Sequence, residues 1–386
     1  MNLEDIIQET NTHYCLECGK CTSVCPVAKY DPSFSPRRMI ENALLGFEDE
    51  LTFNQKLFSC LTCYTCSLRC PSDVDFPVFI QKARGIAQNN GQHGICAHAG
   101  QLQSLARLMA SPEIKQSRLE WLKGIDGSAL YRISDTSDVL FWVGCAPYFE
   151  PIFEDIEFSA LDITKASLKI LNLLGIEPKL LPNEKCCGHD ALWTGDIVTF
   201  KKLAEYNAAQ IKEAGIKKIV FSCPEGYRTF KLDYPNYVDL GCEVQHISEF
   251  LAEKIEKDGL KFKEIEKKVT YQDPCRLGRH LGVYDAPRKV LESIPGIELV
   301  EMPYIKEESI CCGTSAWTNC DSCSNMIRMQ RLSEAKATGA ETLITSCPKC
   351  QTHFRCAMVD KGDLKRSMPE IEVMDLVSLV ANAMGD

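Results

Sequence analysis

The chain lacks any apolar run near the roughly 18 residues of a membrane span. Its most hydrophobic stretch around residue 140, DVLFWVGC, is only about strand length. It lacks a basic excess: 43 Lys+Arg against 53 Asp+Glu leave a net charge of −10, which argues against a nucleic-acid partner. It lacks a secretory signal core, because the N-terminus MNLEDIIQET is acidic. No glycine-rich phosphate loop follows any predicted strand, so the chain offers no flavin or nicotinamide site and must rely on partners for two-electron chemistry. Together these absences predict a cytoplasmic chain with no transmembrane segment of its own, although it could dock on a membrane partner.

Cysteine, by contrast, is abundant, with 22 among 386 residues. A reducing compartment keeps thiols free, so grouped cysteines read as metal ligands rather than disulfides. The hydrophobic content of 45% supports real cores, and the length allows two or three domains.

Residues 1–100 hold two tight groups of four cysteines separated by helical text, RRMIENALLGF and FPVFIQKARGIAQNN. Pro26 and Pro71 follow the groups and are expected to stop local helix. Residues 101–136 read as a helical connector broken at Gly124 and Gly127. From residue 137 strands and helices alternate, which predicts parallel sheets covered by helices. Ser248 is the expected cap of the helix SEFLAEKIEK. The order then repeats: Cys145 to Cys275 is 130 residues, Cys186 to Cys311 is 125 and Cys223 to Cys347 is 124. This is an internal duplication, with units at 137–260 and 268–386 and a boundary in the charged stretch Glu253 to Lys268. The fold class is thus α+β and multidomain: a mostly helical, ferredoxin-like N-terminal domain, then two tandem α/β domains with parallel sheets.

Cys15, Cys18, Cys21, Cys25-Pro26 and Cys60, Cys63, Cys66, Cys70-Pro71 both fit C-x2-C-x2-C-x3-C-P, the run that binds a [4Fe–4S] cubane. In two-cluster ferredoxins the fourth cysteine crosses over. The first cubane therefore takes Cys15, Cys18, Cys21 and Cys70, and the second takes Cys60, Cys63, Cys66 and Cys25. Zinc is the competing occupant, since C-x2-C also suits it, but zinc needs only two such pairs.

Cys186-Cys187-Gly188 and Cys311-Cys312-Gly313 are the repeated motif of the two later units. Adjacent cysteines strain one small tetrahedral ion and suit a larger sulfur-rich cluster. The glycine lets the backbone bend closely around it. Cysteines at strand ends put the ligands on one rim of each sheet, where ligands sit in open α/β folds. The second frame closes with Cys347 and Cys350; the first closes with Cys223 alone, since Gly226 stands at the last position.

This double C…CCG…C-x-x-C frame behind a two-cubane domain resembles the D subunit of heterodisulfide reductase, and equally a fusion of that enzyme's C and B subunits. Iron–sulfur subunits of glycolate oxidase, lactate utilisation, anaerobic glycerol-3-phosphate dehydrogenase and class II benzoyl-CoA reductase complexes share the architecture. The resemblance implies CCG domains and anaerobic redox metabolism. It also implies a noncubane [4Fe–4S] cluster on Cys275, Cys311, Cys312, Cys347 and Cys350. The first frame retains Cys145, Cys186, Cys187 and Cys223, four thiolates for a further cubane, an altered noncubane cluster or a purely structural site. The implied role is that of an electron-transfer component working with a flavoprotein similar to the A subunit of heterodisulfide reductase. Disulfide reduction at the noncubane cluster is the alternative, and a zinc-dependent scaffold is the alternative of another class.

Several further residues draw notice. Arg276, Arg279 and His280 follow Cys275 and could serve cluster sulfides or a substrate anion, or simply pack their loop; Arg276 and His280 are the catalytic candidates. His189 could tune the first cluster or bond to backbone. Cys320 and Cys323 form an extra C-x-x-C, read as spare thiols at a helix start rather than a redox pair. Cys96, Cys242 and Cys356 read as buried small hydrophobes, and Trp193 and Trp317 as shields against water.

Overall fold

A computed structural model describes residues 2–94, 97–125, 128, 130–359 and 368–385; Cys96 and Gly127 lie outside them. The short runs VLFW, KIVF and TLIT are mostly apolar and are buried after the first residue, the pattern of strands covered on both faces, and they form parallel sheets. The first sheet orders β1 (Val139–Trp142), β2 (Lys218–Phe221) and β3 (Glu243–His246) side by side, with Phe141 opposite Val220 and Val220 opposite Gln245. The second sheet contains β4 (Lys267–Gln272), β5 (Ile297–Leu299), β6 (Thr342–Thr345) and β7 (Glu372–Asp375) in the order β5-β4-β6-β7. Where the second sheet has β5, the first has a single parallel bridge from Leu140 to Lys179. The duplicated text thus folds as duplicated architecture.

The two repeats pack reciprocally. Helix Ala160–Leu173 of the first lies on helix Leu376–Met384 of the second, and helix Ile247–Asp258 of the first lies on helix Asp285–Glu292 of the second. Each repeat gives its early helix to the other's last helix, the arrangement of a pseudo-two-fold axis. One apolar core spans the join, from Val220 and Ile163 to Tyr271, Ile344 and Val380. A second core joins the N-terminal helices to the second repeat, running from Phe79 and Ile80 through Cys60 and Cys63 to Cys311, Leu332 and Phe354.

Three local expectations change. The cap of helix Ile247–Asp258 is His246, whose Nδ1 accepts the Ser248 N–H at 3.3 Å; Ser248 sits inside the first turn. Pro26 begins the helix Pro26–Tyr30, since proline at the first helical position loses no needed N–H. The connector is helical over Gln101–Ala110 and beyond that makes only the single turn Glu120–Leu122. Among the described residues no helix is long and apolar enough to cross a membrane.

Candidate functional site

None of the described cysteines is in a disulfide. The sulfur-bearing loops are built alike. In Cys15-Leu16-Glu17-Cys18 and Cys60-Leu61-Thr62-Cys63 the third residue is left-handed, Glu17 at φ 51° and Thr62 at φ 45°. That conformation aims its N–H back at the first sulfur: Glu17 donates to Cys15 Sγ at 3.4 Å and Thr62 to Cys60 Sγ at 3.3 Å. Val74 donates to Cys70 Sγ, Gly188 to Cys186 Sγ and the Cys350 N–H to Cys347 Sγ, all at 3.4 Å.

The cysteines gather into four nests. Cys15, Cys18, Cys21 and Cys70 line one cavity, reached also by Cys66; Cys18 is exposed. Cys25 lies within electrostatic reach of Cys60 and Cys63, and Cys66 within reach of all three. The free thiols of Cys275, Cys311, Cys312, Cys350 and Cys347 lie within interaction range of one another in that order. Cys145 Sγ lies 3.7 Å from Cys186 Sγ, and with Cys187 and Cys223 these line a further cavity. The nests succeed one another. Cys66 of the second feels Cys21 of the first, Cys311 of the third feels Cys63 of the second, and Cys223 of the fourth feels Cys347 of the third.

Burial pushes the Cys60 thiol up to about 11 and raises Cys25 and Cys66 as well. Hydrogen bonds from Cys311 and Cys350 hold Cys312 down at about 6. Buried, crowded thiols of this kind have little use as acids, and their N–H donors suit thiolate sulfur. A sulfur-rich metal cluster fits both observations: its cations would deprotonate the thiols, and the backbone would hold their orientation.

Gly226 lines the cavity of the fourth nest, and an added Cβ there would lie 3.3 Å from Phe221 Cδ1 and 3.8 Å from Trp142 Cδ1, so Phe221 crowds the place of a fifth cysteine. Gly188 and Gly313 are both left-handed, at φ 84° and 86°. A Cβ on Gly313 would meet Ser324 O at 2.8 Å.

Arg276 is 2% exposed and ties three nests together. It donates to Thr62 O and Thr62 Oγ1 in the second, to Ser315 Oγ beside the third (3.2 Å) and to His189 Nε2 beside the fourth (2.9 Å). Arg279 donates to Cys63 O and Ser309 O. His280 sits between Arg276 and Arg228, and burial with those cations drives it well below its ordinary pKa. His189 bonds to side chains, Arg276 and Asp190 (3.1 Å), rather than to backbone or sulfur. Arg228 and Arg276 lie over the buried Trp193 ring, and buried Trp317 stacks on Phe153.

Cys320 is exposed just before the capping Asp321, and Cys323 lies in the first turn of helix Ser322–Ala337 with Sγ 3.7 Å from Val27 O. Cys242 and Cys356 are half-buried rather than buried.

The sequence reading missed four side chains. Lys349, between Cys347 and Cys350, reaches across to Asp190 Oδ1 (2.6 Å) and Glu225 Oε2 (2.5 Å) beside the fourth nest. Burial works against its charge, but the two carboxylates outweigh it and hold Lys349 well above the ordinary lysine range. His189, Asp190 and Glu225 are close enough to grip a cation, and the Lys349 ammonium takes that place. His353 places Nδ1 3.2 Å from Cys312 Sγ. Aligning the halves would have found Glu225 and Lys349, which stand at matching positions in Cys-Pro-Glu-Gly and Cys-Pro-Lys-Cys.

Residues 139–231 and 269–355 each match the cysteine-rich CCG domain, and residues 11–74 match the 4Fe-4S dicluster domain. The chain is 31% identical to the D subunit of the dihydromethanophenazine:CoB–CoM heterodisulfide reductase of Methanosarcina mazei, over 96% of this chain and 93% of that one. It is 29% identical to the B subunit of the fumarate reductase (CoM/CoB) of Methanothermobacter marburgensis, over 99% of this chain and 74% of that one. Among solved structures, a hypothetical protein from Helicobacter pylori superposes with a TM-score of 0.56 at 12% identity, covering 100% of this chain and 72% of that one, a likeness of fold alone.

Proposed function

Because the chain belongs to the family of heterodisulfide reductase D subunits, we propose that it is the iron–sulfur electron-transfer subunit of a multi-subunit oxidoreductase. The observation that carries this reading is the adjacency of the nests: Cys66 lines the cavity of the first, Arg276 joins the second, third and fourth, and Lys349 joins the third to the fourth. On this reading, cubanes belong on Cys15, Cys18, Cys21, Cys70 and on Cys60, Cys63, Cys66, Cys25. A noncubane cluster belongs on Cys275, Cys311, Cys312, Cys347, Cys350, and Cys145, Cys186, Cys187, Cys223 hold a fourth group. Such clusters supply one-electron storage and transfer. The protein's part is to orient the sulfurs through the N–H donors of Glu17, Thr62, Val74, Gly188 and Cys350 and to keep water out with Trp193 and Trp317. The exposed Cys18 makes the first nest the natural contact for a redox partner, and a flavoprotein similar to the A subunit of heterodisulfide reductase would supply the two-electron chemistry.

Metal analysis after anaerobic purification tests the reading. Roughly 12–16 irons per chain are expected, from three or four four-iron clusters. Stoichiometric zinc with little iron would overturn it in favour of a scaffold. Failure to co-purify with a flavoprotein would count against the partner. Disulfide reduction at the third nest is the competing role, favoured by the activity named for the Methanosarcina relative. A thiol-dependent EPR signal that disappears in Cys350→Ser would select it.

A further inference from the structure

His353 stands apart from the other histidines near the nests, because its ring meets a sulfur. Nδ1 lies 3.2 Å from Cys312 Sγ, and the ring is 2% exposed. Its plane is fixed by an edge-to-face contact with Trp317, ring centroids 5.1 Å apart. Trp317 is in turn held by stacking on Phe153 at 5.4 Å. A thiolate only accepts hydrogen bonds, so this contact places the proton on Nδ1 and leaves Nε2 as an acceptor. Nε2 is buried and has no hydrogen-bond partner among the described residues. His353 also lines a cavity with His98, Thr314, Cys320 and Arg328. At about 10 Å³ it has room for one donor water.

The first repeat lacks this device. Thr229 stands six residues after Cys223, as His353 stands six after Cys347. Its hydroxyl is buried without a hydrogen-bond partner among the described residues, and the helix there loosens into the wide turn Thr229–Asp233. Of the two, only the side chain beside the five-cysteine nest reaches a sulfur.

Resting on the reading of that nest as a cluster site, we propose that His353 is a positioning residue that raises the reduction potential there by donating a hydrogen bond from Nδ1 to Cys312. A reduced cluster carries one more negative charge than an oxidised one, and a donor at a ligand sulfur stabilises the more negative form more strongly. The potential at this nest is thus set in part by a side chain outside the C-x-x-C motif.

The test is an EPR-monitored potentiometric titration of the full chain purified anaerobically, following the signal lost in Cys350→Ser. His353→Leu is expected to lower the midpoint so that the oxidised-to-reduced ratio at fixed poise changes about tenfold, about 59 mV for one electron. His353→Asn, whose amide nitrogen stands near Nδ1, is expected to restore most of the shift. An unchanged midpoint in His353→Leu at full iron content would overturn the proposal, as would equal shifts in the Leu and Asn variants. If His353→Leu loses its iron, His353→Asn is compared with His353→Gln, whose nitrogen reaches the Nε2 position. The Asn variant is then expected at the parent midpoint with Gln below it, and equal values overturn the inference. No iron signal in the parent would instead remove the cluster reading itself.

Discussion

Glu225 and Lys349 occupy the same position in the two repeats, and they are paired with each other, Oε2 to Nζ at 2.5 Å. A residue on a pseudo-two-fold axis meets its own counterpart, so identical charges at that place would repel. Opposite charges turn the repulsion into a link, and they do so between the third and fourth nests. The pair is buried, so removing one partner strands the others. Lys349→Met leaves Asp190 and Glu225 without their cation and is expected to lower unfolding stability by about 3–5 kcal/mol. Adding Glu225→Gln should recover part of that loss, a non-additivity readable from denaturant midpoints of the two single variants and the double.

The first repeat has Gly226 where the second has its fifth cysteine, and aromatic rings crowd that place. Phe221 and Trp142 now border Gly226, with the nearest ring carbon 3.3 Å from an added Cβ. Gly226→Cys alone is expected to leave the EPR spectrum without a second five-cysteine signal. Trimming the ring in Gly226→Cys/Phe221→Leu is expected to produce one. Cys350→Ser should cost at most about four irons and spare the N-terminal signals. A general loss of iron would show that the nests do not hold their metals independently.

The parallel sheets were legible because VLFW, KIVF and TLIT are short, mostly apolar runs, each followed shortly by Cys145, Cys223 or Cys347, and the repeat was legible because its offsets differ by only a few residues. The two C-x2-C-x2-C-x3-C-P runs carried their own chemistry in their spacing. The short helices Pro224–Arg228 and Pro348–Val359 were not foreseen, because Cys-Pro reads as a stop although proline is favoured at a first helical position. Nor were the partners of Arg276 or the Lys349–Asp190–Glu225 group. Apart from Arg276–Ser315, these contacts join different domains, from His189 to Arg276 and from Asp190 to Lys349, and no local periodicity encodes which faces of separate domains will meet.

His246 and Asp375 are also counterparts, each ending its strand and capping the helix that follows. Burial acts on them in opposite senses, pushing His246 down to about 3 and Asp375 up to about 7. For His246 the unfolded chain takes up the proton near 6.5, so stability falls as pH drops from there towards 3. For Asp375 the buried protonated form is favoured, so its contribution is complete below the unfolded value of 3.8 and is lost as pH rises through 7. His246→Asn keeps a capping side chain and removes the first of these slopes. Relative to the parent, this variant is expected to gain about 2 kcal/mol between pH 7 and pH 5. Urea unfolding under anaerobic conditions at the two pH values measures the difference; parallel changes in both proteins would exclude His246 as the source.

Arg276 separates a substrate-binding role from an architectural one. Its guanidinium is spent on Thr62, Ser315 and His189, so a fork of fixed shape is needed rather than a charge. Arg276→Lys keeps the cation but cannot reach three partners, and buried acceptors are left unpaired. The expected loss is about 2–4 kcal/mol, accompanied by iron loss from more than one nest, because the Thr62 loop, Ser315 and the His189 helix are released together. Denaturant unfolding and iron analysis of the same preparation measure both effects. A residue that only received a substrate anion would show neither, since its lysine variant would keep full stability and full iron while losing affinity for that anion.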